Sequence, residues 1–190
     1  MIDKVILVDS EDNETGSMEK LEAHLQGKLH RAFSVFLLNK QKDQMMIQKR
    51  AKGKYHSGGL WSNTCCSHPR PGEPINDAVS RRLVEEMGIK CETKEIFSKT
   101  YKAKLDHNIT ENEFDHIFLG YYEGSPEPNP EEAEDWQWIS IEELLDSVKK
   151  EPDIYSVWFG YLLEEVLNHT QAQYEITPID TLSETTFSPH

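Results

Sequence analysis

A chain of 190 residues that is 37% apolar and 9% aromatic can bury one sizeable core but hardly two, so one domain over residues 1–190 is expected. With 34 acidic against 20 basic side chains the formal charge is -14, which argues against a nucleic-acid binder, because neutralising phosphates needs a basic face. An anionic ligand would need the few Lys and Arg gathered locally and a divalent cation to help. The opening "MIDKVILVDSED" has no basic stretch leading into a long apolar run, and no segment reaches the ~18 apolar residues of a membrane span. Three cysteines, two of them adjacent, make a poor disulfide framework, so reduced thiols and a cytoplasmic location are expected.

In chain order, "RAFSVFLLN" (31–39) and "QMMIQKR" (44–50) flank the polar "KQKD" and predict a β-hairpin. "PINDAVSRRLVEEMGI" repeats Ile75, Ala78, Val79, Leu83 and Met87 at helical spacing and stops at Gly88. Residues 95–103 and 113–124 are rich in aromatic and branched side chains and predict strands. "SPEPNPEEAED" (125–135) predicts a Pro-rich acidic loop, and "WQWI" a strand. Ser140 and Glu143 form a capping box for "IEELLDSVKK". A last helix near residues 153–168 places Ile154, Val157, Trp158, Tyr161 and Leu162 on one apolar stripe. The polar tail, residues 175–190, reads as mobile. Strands on both sides of a helix, with helices following, predict an α+β fold, an α/β/α sandwich.

On the first helix, Arg81, Glu85 and Glu86 lie a turn apart, and Arg82 faces Glu86 at i,i+4. Surface ion pairing explains such charges in most helices. With Glu73 and the preceding loop, however, "SHPRPGEPINDAVSRRLVEEMGI" resembles the Nudix box: Gly, five residues, Glu, seven residues, Arg-Glu, an aliphatic, any residue, Glu-Glu, any residue, Gly, an aliphatic. Glu73, Arg81, Leu83, Glu85, Glu86, Gly88 and Ile89 match, while Ser67 replaces the first Gly and Arg82 the Glu after the Arg. Exchanging a carboxylate for a guanidinium favours holding a diphosphate over splitting it.

"NTCCSHP" (63–69) carries the other chemistry. Cys65, Cys66 and His68 lack the second Cys or His pair of a closed zinc site. Cys91, alone, reads as a buried core thiol. Glu111 and Glu113 are two apart at the start of a strand, so both carboxylates point to one side. With His24, His30 and His68 they make a mixed N/O set suited to Zn²⁺, Mn²⁺ or Mg²⁺.

"HLQGKLHRAFSVFL", "GLWSNTCCSHPRPGE", "AVSRRLVEEMGI" and "ENEFDHIF" resemble, in order and at nearly the same spacing, the signature segments of the type I isopentenyl diphosphate isomerases, a branch of the Nudix superfamily. The resemblance runs from about Met1 to the helix holding Trp158. It implies a Nudix-like mixed sheet flanked by helices, and interconversion of isopentenyl and dimethylallyl diphosphate. Carried over residue by residue, it implies Cys66 as catalytic cysteine and Glu113 as metal ligand and proton carrier. One divalent metal, Mn²⁺, Zn²⁺ or Mg²⁺, would sit on His24, His30, His68, Glu111 and Glu113, and a Mg²⁺ arriving with the substrate would take Glu86. Lys20, Arg50, Lys54 and Arg82 would surround the diphosphate, and Tyr101 and Trp158 would line the hydrocarbon end. The partner implied is a small isoprenoid diphosphate, with no nucleic acid or membrane, in a monomer or homodimer. The rival readings are a Nudix-type diphosphate hydrolase and a non-catalytic diphosphate-binding module.

Overall fold

The order of elements in the computed structural model, which describes residues 3–105 and 108–171, is β1 (Lys4–Val8), β2 (Glu14–Glu19), α1 (Lys20–Gln26), β3 (His30–Leu38), β4 (Gln44–Arg50), β5 (Trp61–Ser62), β6 (Cys65–Ser67), α2 (Ile75–Met87), β7 (Thr93–Lys104), β8 (Thr110–Tyr121), β9 (Ala133–Ser140), α3 (Ile141–Lys150), a 3₁₀ turn (Pro152–Ile154) and α4 (Val157–Gln171). Residues 175–190 lie outside the described residues. Central to the mixed sheet is β3, parallel to β8 from His30↔Glu113 to Leu38↔Tyr121. The alternation of β3 divides the core between the sheet's two faces. Phe33, Val35 and Leu37 pack with Ala78, Val79, Leu83 and Met87 of α2. Phe36 and Leu38 pack on the other face with Trp158, Phe159, Leu162 and Val166 of α4. The expected helix-flanked α+β architecture is therefore present. Gly88 ends α2 at φ 66°, where a Cβ would also meet the Glu127 carbonyl oxygen at 2.8 Å, so no other residue fits without strain.

Several expectations are revised. β3 and β4 pair directly only at Leu37↔Met46 and Leu38↔Met45; beyond that rung they diverge, β4 to β9 and β5, β3 to β8 and β6. Residues 61–67 fill the fork. Thr64 holds it: its hydroxyl accepts from the Leu37 amide (3.1 Å) and donates to the Met46 carbonyl (2.7 Å). Asn63 secures the same segment by donating to the carbonyls of Val35 (3.2 Å) and Cys65 (2.7 Å).

The acidic loop is shorter than expected, because β9 begins at Ala133 and pairs with Arg50 there. The last helix begins at Val157 after the 3₁₀ turn, and its buried stripe is rotated. Ile154 (38% exposed), Val157 (38%) and Tyr161 (55%) face outward, whereas Phe159, Leu163 and Val166 join Trp158 and Leu162 inside. A helix start as densely apolar as VWFGYLL offers more than one plausible stripe, and the sheet face selects among them. Cys91 is only partly buried, against the α2 cluster.

The elements β1, β2 and α1 were not anticipated. "ETGSME" is too polar and "KLEAHLQ" too short to carry a period. The helix forms because the Glu19 carboxylate caps the amides of Leu21 and Glu22 and Gly27 closes the other end at φ 60°. At α3 the capping box closes through side chains: Ser140 Oγ accepts from the Glu143 amide (3.2 Å) and donates to the Glu143 carboxylate (2.7 Å).

Candidate active site

The sheet fork aims the two cysteines apart. In β6, Val35↔Cys65 and Ser34↔Cys66 are the pairs with β3, and successive side chains take opposite faces. Cys65 is buried in the α2 cluster, whereas Cys66 faces a cavity on the α4 side with Ser34, Arg50, Tyr101, Glu113 and Trp158. Burial pushes the Cys66 thiol up to about 12, with Arg50 Nη1 3.6 Å from the sulfur drawing it back only in part, so at neutral pH the sulfur keeps its hydrogen. Trp158 reaches this wall from α4, its Nε1 donating to Asn63 Oδ1 at 3.1 Å, and the Arg50 guanidinium lies 5.1 Å from its ring. Tyr101 Oη donates to Glu113 Oε2 across β7 and β8.

The imidazoles arrive from three elements: His24 on α1, His30 opening β3 and His68 following β6. His24, His30, His68 and Glu113 bring one ligand atom each to within 4.8 Å of one another. His68 Nε2 is 2.8 Å, and His30 Nε2 3.5 Å, from Glu113 Oε1. The backbone presets the rings: His24 Nδ1 sits 2.7 Å from the Lys20 carbonyl and His30 Nδ1 2.8 Å from the Lys28 carbonyl, so each Nδ1–H donates outward and each Nε2 turns its lone pair inward, that of His24 with the Tyr55 hydroxyl 3.5 Å away. Burial holds His68 well below the usual imidazole range, a neutral ring fit to be a ligand. Against the opposing effect of burial, His30 and His68 hold Glu113 ionised, while burial beside Glu113 raises Glu111. His30 Nε2, His68 Nδ1 and Glu111 Oε2 are buried without a hydrogen-bond partner among the described residues. Three imidazoles converging on the Glu113 carboxylate, with buried nitrogen and oxygen atoms left unpaired beside them, are the donor set a divalent cation satisfies, so the residues fit such an ion.

Glu111 is placed slightly apart from this group. It joins His24 and His56 instead, with His56 Nε2 3.1 Å from Glu111 Oε1 and His24 Nε2 3.4 Å from Glu111 Oε2. The sequence reading did not single out His56, which sits in the loop between β4 and β5 where no periodicity points at it. It also passed over Asp115, although the strand period that pairs Glu111 with Glu113 reaches it. Asp115 is fully buried, accepting from Ser34 Oγ at 2.8 Å.

Beside the cavity a wider mouth of about 720 Å³ is lined by Lys20, Lys54, Arg70, Arg81 and Arg82, a local cationic cluster in an acidic protein. Arg50 lies deeper, against Cys66. Glu132, also missed from sequence, links two of the cations, with Lys54 Nζ on Oε2 and Arg82 Nη2 2.9 Å from Oε1. Although burial alone would raise it, Lys54 and Arg82 hold the Glu132 carboxyl down at about 2. Glu86 stands behind the mouth, accepting from Arg82 (2.8 Å) and Gln48 (3.0 Å). Glu73 and Glu85 clamp Arg81 at 2.6 to 3.0 Å and so join the Nudix-like loop to its helix.

The mixed sheet carries a carboxylate-rich helix on one face and a histidine–glutamate cluster on the other, and residues 28–159 match the NUDIX domain family, which sets the class of the protein. The same fold is seen in a Deinococcus radiodurans protein, DR0079 (TM-score 0.73, 18% identity, 86% of this chain and 98% of that one), and in the MutT protein of Methanosarcina mazei (TM-score 0.61, 15% identity, 77% and 96%). Among sequence relatives, isopentenyl-diphosphate Delta-isomerase 2 of Aromatoleum aromaticum is 51% identical over 88% of each chain. Isopentenyl-diphosphate Delta-isomerase of Serratia proteamaculans is 45% identical over 87% of this chain and 92% of its own. The chain belongs to the isopentenyl-diphosphate Delta-isomerase family within the NUDIX domain fold.

Proposed function

We propose that the protein interconverts isopentenyl and dimethylallyl diphosphate by moving protons between Cys66, Glu113 and a five-carbon chain. The observation that carries this reading is the shared cavity, which presents the Cys66 thiol, the Glu113 carboxylate and the Trp158 ring together, next to the cationic mouth. Adding a proton to the terminal alkene carbon gives a tertiary carbocation; removing one from the carbon on its other side gives the isomer. One proton enters and one leaves, so two carriers are needed, and Cys66 and Glu113 fill those roles. The cation has no heteroatom to lean on. The Trp158 face contributes about 2 kcal/mol to a desolvated cation, and the enclosing side chains keep out water that would trap it as an alcohol. Tyr101, bonded to Glu113, orients that carboxyl group.

His24, His30, His68, Glu111 and Glu113 would hold one divalent cation, Mn²⁺, Zn²⁺ or Mg²⁺, and Glu86 a Mg²⁺ that accompanies the diphosphate. The bound ions supply charge neutralisation and fix the orientation of the carboxylates. Lys20, Lys54 and Arg82 grip the diphosphate, with Arg50 at its inner end, so that binding energy from a non-reacting group closes and orients the site. A working thiol requires a reducing compartment, in keeping with three free cysteines and a cytoplasmic enzyme. No described helix is long and apolar enough to cross a membrane.

The test is to incubate purified protein with isopentenyl diphosphate and Mg²⁺ and to follow dimethylallyl diphosphate and free phosphate together. Isomer without phosphate is expected. Phosphate without isomer would make the chain a hydrolase, against which Arg82 in place of a box glutamate already speaks; binding with neither product would make it a passive module.

A further inference from the structure

We propose that His56 is a positioning residue of the metal centre, holding Glu111 so that its free oxygen faces the histidine cluster. The inference rests on the metal-centre reading above and adds to it a residue outside the five ligands. His56 comes from the loop between β4 and β5, and its ring is sandwiched between the two halves of the site. On one side Nε2 lies 3.1 Å from Glu111 Oε1. On another, its ring meets Trp158 edge to face at 5.8 Å between centroids. Nδ1 lies 3.3 Å from Ser57 Oγ, a hydroxyl that can donate to it. With Nδ1 accepting from Ser57, the neutral ring carries its hydrogen on Nε2 and donates it to Glu111. That bond occupies Oε1. Glu111 Oε2, which has no hydrogen-bond partner among the described residues, is then left 3.4 Å from His24 Nε2 on the side of the cluster. Carboxylates that ligate a metal are commonly fixed by a hydrogen bond from an outer group, and loss of such support weakens metal binding by ~10–100-fold. The edge contact with Trp158 sets the same ring against the wall of the hydrocarbon pocket.

The experiment measures Mn²⁺ and Zn²⁺ dissociation constants by competition with a chromogenic chelator, for the parent, His56→Phe, His56→Leu and His56→Gln. Thermal melting of each metal-free protein establishes folding first, and two apolar replacements guard against one failing to fold. His56→Phe or His56→Leu is expected to weaken binding about 10–100-fold, and His56→Gln, whose Nε2 can donate from nearly the same place, to recover most of it. In a Glu111→Ala background the apolar replacement should add no further loss, because its effect passes through Glu111. Unchanged affinity in a folded apolar variant would overturn the proposal, as would equal loss in His56→Gln, or a full additional loss without Glu111, which would make His56 a direct ligand. A parent that binds neither ion would instead sink the metal-centre reading itself.

Discussion

Cys65 and Cys66 differ by one step along a strand, and that step separates the core from the cavity. Cys66→Ala is expected to lower kcat by at least about 10³-fold, the range for losing a proton carrier, while KM for the diphosphate stays within a few-fold, since the cationic mouth is untouched. Cys65→Ala removes a buried sulfur from the α2 cluster and is expected to cost about 1 kcal/mol of stability with kcat nearly unchanged. Steady-state kinetics and thermal melting of the two variants check this; equal losses of kcat would remove the distinction. Adjacent cysteines look alike by composition and spacing, and the resemblance to the isomerases singled out Cys66. In physical terms the side is chosen by the pairing of Ser34 with Cys66, a contact between residues far apart in the chain.

The decisive element is the fork between β3 and β4, where a hairpin would ordinarily pair along its whole length. Thr64 spans the split, and Gln48 Nε2 adds a bond to the Thr64 carbonyl at 2.9 Å. The opened sheet lets residues 61–67 enter and carries Cys66 and His68 to the site. Thr64→Val keeps the shape but strands a buried amide and a buried carbonyl. A loss of about 2–4 kcal/mol is expected, read as a fall in Tm of about 2–4 °C per kcal/mol, together with a fall in kcat. A melting temperature matching the parent's would show that the hydroxyl is not what holds the fork. The hairpin was legible in its two apolar runs and the polar turn between them. Its partial pairing was not, because the competing partners β6, β8 and β9 lie later in the chain.

At the scale of the whole molecule, charge organises the site. A protein of net charge -14 gathers Lys20, Lys54, Arg70, Arg81 and Arg82 at one mouth and neutralises part of it through Glu132. Held at about 2 against an ordinary 4.5, the Glu132 carboxyl contributes stability that is fully present above about pH 4.5 and is lost as pH falls through about 2. Glu132→Gln should therefore be less stable than the parent at neutral pH, by roughly 2 kcal/mol, with the gap closing between pH 4.5 and 2. Urea unfolding of both proteins at pH 7 and pH 3 measures it; a gap that does not shrink would mean the carboxylate is not held by the two cations.

Local pattern by itself determined the α2 helix and its Gly88 stop, the β7 and β8 strands, the shared side of Glu111 and Glu113, and the family to which these segments belong, because each depends on residues within a few turns of one another. Tertiary structure alone decided that His56 meets Glu111, that Thr64 splits the sheet, and which face of α4 is buried. Those outcomes turn on which distant strands compete for the same backbone hydrogen bonds and on which sheet face a helix lands, and neither is written in any one stretch of chain.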